Sequence, residues 1–77
     1  MPKKAYLLIE SEPGLSSQLM SDFAKIKEVI AVEFVSGPYD FIAEIEVNDV
    51  DEIGQLITQV IHPIKGVERT VTCISIG

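Results

Sequence analysis

The sequence predicts an α+β domain in which two helices pack on one face of a four-stranded sheet. Three observations predict it. Residues 41–47 alternate with period two, residues 53–64 carry an apolar stripe at helical spacing, and short apolar, β-prone runs open and close the chain. Ala5-Tyr6-Leu7-Leu8-Ile9, the first run, is apolar on both faces and is ended by Glu12-Pro13-Gly14, so it reads as a strand with a turn behind it. Ser16 and Ser17 then offer N-cap hydroxyls, and Leu19, Phe23 and Ile26 follow at i, i+4 and i+7. That spacing predicts a helix over residues 16–27.

Residues 29–36 return to β character. Simple alternation there puts Ile30, Val32 and Phe34 on one face and Val29, Ala31 and Val35 on the other. Gly37-Pro38-Tyr39-Asp40 is a turn signal, after which Phe41, Ala43, Ile45 and Val47 alternate with Ile42, Glu44 and Glu46. Two strands joined by so short a loop form an antiparallel hairpin. Asp49-Val50-Asp51-Glu52 reads as a capping box. Ile53, Leu56, Ile57, Val60, Ile61 and Ile64 then trace the apolar stripe of a helix that Pro63 should end near Ile61. Gly66 closes the next turn, and residues 67–76 form a last strand.

The order is therefore β-α-β-β-α-β within one domain spanning residues 1–77, and two right-handed crossovers around a hairpin give a ferredoxin-like sheet. Phe41, Ala43, Ile45 and Val47 should face the helices. The opposite face collects Ile42, Glu44 and Glu46 together with apolar residues of the first strand. An apolar face that no helix covers predicts that two sheets pack together as a dimer.

Composition narrows the function classes. With 77 residues, 47% of them hydrophobic, the chain is too apolar for disorder and richer than one small core requires. Stability should fall in the range of about 4–12 kcal/mol at ~0.05–0.15 kcal/mol per residue. The net charge of −6 argues against a nucleic-acid module; the one basic cluster, Lys3-Lys4, sits at a terminus expected to be mobile. No run reaches the length of a membrane span, and the start lacks the apolar region and cleavage site of a signal peptide. A single cysteine, Cys73, fits a reducing cytoplasm and is expected to be a buried, inert thiol.

Catalytic chemistry finds little support. His62, the one imidazole, is expected to be solvated at a helix end, and no His or Cys pair has metal-ligand spacing. There is no glycine-rich phosphate loop, so no cofactor is expected. Glu44 and Glu46, joined by Asp40 at the start of the same face, read as a charged stripe paired with Lys or Arg rather than as an acid–base pair. The loop Gly37-Pro38-Tyr39-Asp40 offers backbone N–H groups, an amphipathic ring and a carboxylate. That set complements a zwitterionic amino acid, although a plain hairpin turn accounts for the same letters.

From Ala5 to Ile76 the chain resembles the C-terminal domain of the leucine-responsive/asparagine-operon regulator (Lrp/AsnC) family, the regulation-of-amino-acid-metabolism (RAM) module. The resemblance is carried by four strings in order: Ala5-Tyr6-Leu7-Leu8-Ile9 with Glu12-Pro13-Gly14, Val35-Ser36-Gly37-Pro38-Tyr39-Asp40-Phe41, Asn48-Asp49-Val50-Asp51-Glu52, and Ile64-Lys65-Gly66-Val67 leading into Thr70-Val71-Thr72. It implies an effector-sensing module that is not an enzyme. Such modules form dimers with sheets face to face in an α/β barrel, and often rings of dimers such as an octamer, with amino acids bound between neighbouring dimers. Carried over by position, the ligand-binding residues would be Gly37, Tyr39 and Asp40, with Pro38 in the same loop and Thr70 and Thr72 in the last strand. Full-length members place a helix-turn-helix domain ahead of this module. Here Met1 to Lys4 alone precede the first strand, so the expected form is a stand-alone module that does not bind DNA directly but acts through its own oligomer or by mixing with full-length regulators. Two other readings are a structural adaptor that needs no ligand and a small dimeric-barrel enzyme that would have to use Glu44 and Glu46.

Overall fold

The alternating run at residues 41–47 becomes the strand that organises the sheet. The structure is a computed structural model describing residues 2–77, and its elements run β1 (Lys3–Ser11), α1 (Ser16–Ala24), β2 (Val29–Phe34), β3 (Phe41–Val47), α2 (Val50–Leu56), a π-turn (Ile57–Ile61) and β4 (Val67–Ile74). The four strands lie in the order β2-β3-β1-β4. Each neighbouring pair is antiparallel, which is the α+β ferredoxin-like arrangement the pattern predicts.

Directly opposed residues in such ladders point to the same side of the sheet. Ala5, Leu7 and Ile9 of β1 stand opposite Ile45, Ala43 and Phe41 of β3, and all six are buried. Leu19 and Phe23 from α1, with Ile53, Leu56 and Ile61 beyond β3, complete the core under the helices. Phe41 is its centre, with its ring edge-on to Phe23 at 5.2 Å and tilted against Phe34 at 5.1 Å. No polar side chain is buried among the described residues, so apolar burial at about 1.5–3 kcal/mol per large side chain holds the domain together.

The opposite face has no helix on it. Tyr6 and Leu8 of β1 align there with Cys73 and Val71 of β4 and with Glu44 and Ile42 of β3. Tyr6 and Val71 are exposed and Leu8 and Ile42 half-buried, so the uncovered apolar face predicted from the pattern is present.

Several local expectations are corrected. Val29 and Val32 share the helix-facing side, because the pairing shifts register between Val29 and Ala31 and so leaves Ile30 out of the alternation. The first helix has Leu15 at its N-cap with no side-chain cap, so Ser16 and Ser17 are its first helical residues rather than its caps. It ends at Ala24, and tighter i→i+3 bonds from Lys25 and Ile26 carry the chain onward. Lys3 and Lys4 are ordered into β1, where Lys4 Nζ lies 3.1 Å from Glu44 Oε2. Cys73 is exposed on the uncovered face, because β4 is an edge strand and no helix lies over that side.

At α2 the Asp49 carboxylate accepts from the Asp51 N–H at 3.0 Å, and Asp51 and Glu52 place acid in the first turn. The helix runs out at Ile61 as Pro63 predicts, but through a π-turn closed by His62 N–H donating to Ile57 O at 2.8 Å. The wider turn buries Ile61 and leaves Val60 exposed, so the stripe predicted for a regular helix is broken at its last turn.

Candidate functional site

The hairpin between β2 and β3 is closed by Val35 N–H donating to Asp40 O at 2.8 Å, and Asp40 N–H reaches across to Ile9 O at 2.9 Å. These bonds set the loop over the end of the uncovered sheet face. Residues 35–39, with Leu8 and Ile42 beneath them, wall a cleft of about 350 Å³. Gly37 is exposed, and no atom lies within 4 Å of where a Cβ would stand, which leaves its backbone open to approach. The walls are carbon apart from Ser36, the Tyr39 hydroxyl and the loop backbone.

Asp40 is turned elsewhere. Its Oδ2 accepts from the Ser11 N–H at 2.7 Å and from the Ser11 hydroxyl at 3.2 Å, where β1 shifts register between Glu10 and Ser11. The carboxylate thus staples the loop to the end of β1. Beside the cleft, the Arg69 guanidinium stands 6.0 Å from the centre of the Tyr39 ring. Arg69 Nη2 is 3.8 Å from Glu10 Oε2, its cross-strand neighbour. That distance is an ion pair without a good hydrogen bond, in a side chain that is 64% exposed.

The structure brings Gly37, Pro38 and Tyr39 together and keeps Thr70 and Thr72 apart from them. Thr70 and Thr72 stand opposite Ile9 and Leu7, on the helix side of β4. Thr70 Oγ1 is hydrogen-bonded with His62 Nε2 at 3.1 Å, which ties the end of the second helix to the sheet. His62 is exposed, as expected of a helix-end histidine. Glu44 is engaged by Lys4, and that hydrogen bond, followed by the charge of Glu44, raises the Lys4 pKa above its ordinary 10.5. Three or more His, Cys, Asp or Glu side chains grouped to hold a metal ion do not occur among the described residues. No helix of the described residues is long and apolar enough to cross a membrane.

Ser11, Glu10 and Arg69 were not legible as site residues. Ser11 reaches Asp40 across 29 positions of sequence, and only the β1–β4 pairing register sets Arg69 opposite Glu10. The cross-strand opposition of an acid and a base is the one signal that could have pointed to Glu10 and Arg69.

The structure is thus a ferredoxin-like sheet with one uncovered face and a loop-walled cleft at its end. The family model described as Lrp/AsnC ligand binding domain matches residues 4–77, and the chain belongs to that family. It is 31% identical over 74 residues to an uncharacterised HTH-type transcriptional regulator of Pyrococcus abyssi, covering 92% of this chain and 49% of the relative. The chain thus spans about half the length of the curated relatives it matches, which are transcriptional regulators. Among solved structures it is similar to TTHA0845 from Thermus thermophilus, with TM-score 0.92 and 33% identity, covering 97% of this chain and 94% of that one. A transcriptional regulator of Neisseria meningitidis, solved as a complex with L-Met, shares the fold at TM-score 0.90 and 12% identity, covering 97% of this chain and 50% of that one.

Proposed function

We propose that this domain binds a small amino-acid effector and, through an assembly of its own copies in the cytoplasm, modulates transcriptional regulation of amino-acid metabolism without contacting DNA itself. The observation that carries the reading is the cleft under residues 35–39, in a domain of a ligand-binding family. The L-Met complex of the Neisseria regulator supports an amino acid as the ligand class. The net charge of −6 supports a role that does not depend on phosphate contacts.

Gly37, Pro38 and Tyr39 wall the effector, and Asp40, bound to Ser11 through Oδ2, holds their loop in place. Thr70 and Thr72 lie on the other side of the sheet, so they join the same small ligand only from a neighbouring copy. A ligand shared between copies then stabilises the assembly that completes its site, by no more than its difference in affinity for the two states. The uncovered face with Tyr6, Leu8, Ile42 and Val71 favours a second reading, an adaptor that assembles with full-length regulators and takes no ligand.

A thermal-unfolding screen against the twenty amino acids separates them. At 100-fold over Kd a ligand of the native state adds about 2.7 kcal/mol, and each kcal/mol moves Tm by roughly 4–8 °C at this size. Stabilisation by one chemical subset supports the sensor. No shift from any of the twenty leaves the adaptor.

A further inference from the structure

We propose that Arg69, with Glu10 beside it, reads the charged end of an effector whose apolar side chain occupies the cleft; the inference rests on the effector-binding reading above. Leu8, Val35, Pro38, Tyr39 and Ile42 present carbon to the interior of a space of about 350 Å³, within the range of small-ligand pockets. A charged or amide side chain placed there would give up its hydration for too few partners, whereas an aliphatic, thioether or aromatic one loses nothing. The part that enters is therefore apolar, and the ligand's carboxylate and ammonium stay at the mouth.

The mouth holds the matching charges. Arg69 is the cation that reaches Tyr39, with its guanidinium 6.0 Å from the ring centre. Its contact with Glu10, at 3.8 Å, is too long to occupy its donors, and both side chains are well exposed. A planar fork of N–H groups held beside an aromatic wall suits a carboxylate arriving in two-point contact. Glu10, opposite Arg69 in the ladder, then meets the ammonium. Asp40 does not take the place of Glu10, because its Oδ2 is bound to Ser11 and it does not line the cleft.

The test compares L-leucine, L-methionine and L-phenylalanine with L-lysine, L-aspartate and glycine on the full chain, reading Tm and then Kd by calorimetry. Leucinamide, which lacks the carboxylate, is measured beside leucine on the wild type and on Arg69→Gln. The expected result is stabilisation by the apolar group alone, with Arg69→Gln weakening leucine about tenfold or more and leaving leucinamide unchanged. Stabilisation by lysine or aspartate without the apolar group overturns the inference and leaves effector binding standing. Silence from all twenty amino acids removes effector binding itself. Equal loss of leucine and leucinamide in Arg69→Gln, or no loss of either, overturns the role of Arg69. The apo Tm of that variant confirms that an exposed side chain was changed without unfolding the domain.

Discussion

Asp40 and Ser11 are 29 residues apart and joined twice, the Ser11 N–H and hydroxyl both donating to one carboxylate oxygen. The contact anchors the hairpin loop to the strand whose residues Leu8 and Ile9 face the cleft and the core. Asp40→Ala leaves the Ser11 N–H without its acceptor in a half-buried place and should cost about 1–3 kcal/mol, while Ser11→Ala removes the longer bond alone and should cost about 1 kcal/mol or less. Denaturant unfolding of both variants checks the order. A larger loss from Ser11→Ala would reverse it.

Phe41 is the residue on which the core most depends. It is wholly buried and touches two other phenylalanine rings, so Phe41→Ala should cost about 3–5 kcal/mol. Against a total of about 4–12 kcal/mol that is enough to leave much of the population unfolded at 37 °C. Circular dichroism melting reads it directly.

Gly66 has φ +101°, and a Cβ there would lie 2.8 Å from Leu15 Cδ1. Its carbonyl also accepts from Glu12 N–H at 2.8 Å, so the turn is fixed from the other side. Gly66→Ala should cost about 1–3 kcal/mol, mostly from the left-handed backbone, since Leu15 is half-buried and its methyl can give way. Gly14→Ala makes a clean comparison, with φ +87° and nothing near its Cβ, and should lose less.

The Lys4–Glu44 pair sets a pH expectation. Lys4 is raised above 10.5 in the folded chain, so its contribution is fully present below 10.5 and fades as pH rises through the higher folded value. Wild type and Lys4→Gln should therefore differ in Tm at neutral pH by a small, salt-sensitive amount and converge in strong alkali. A gap that persists there, or widens, would mean that the lysine acts through its methylenes.

Cys73 reports on the uncovered face. The thiol is exposed in the single chain and lies opposite Tyr6. If two sheets pack on that face, a thiol reagent should label Cys73 quickly at high dilution and slowly as concentration rises. Val71→Glu, beside it on the same strand, should abolish that protection and shift the sedimentation profile to the monomer.

How much of this was legible depends on whether local pattern or distant pairing decides. The β3 alternation and the Ile53–Leu56 spacing declare themselves because their periods record which side is buried, and both elements fall where expected. The loop at residues 37–39 was legible as a candidate site because its turn residues and its resemblance to a family coincide. Ile30 was misplaced because a bulge adds one residue to a strand without any mark in composition. Val60 was misplaced for the same reason, since a π-turn shifts the stripe by one position. Cys73 reads as core by residue type alone; its exposure follows from β4 being an edge with an uncovered side. Ser11 and Arg69 acquire their roles only through partners supplied by the sheet register.

The antiparallel pairing of β1 with β4 brings Ala5 level with Ile74, and Ser75 N–H donates to Lys4 O at 2.9 Å. Both ends of the domain therefore leave from one end of the sheet, while the cleft sits at the other, beyond Leu8. A reporter fused at either end would stand clear of the loop, and two reporters would stand close to each other. The same proximity lets a short linker join the ends so that the chain can be reopened in the Pro13-Gly14 turn, giving a circular permutant whose sheet and cleft are unchanged.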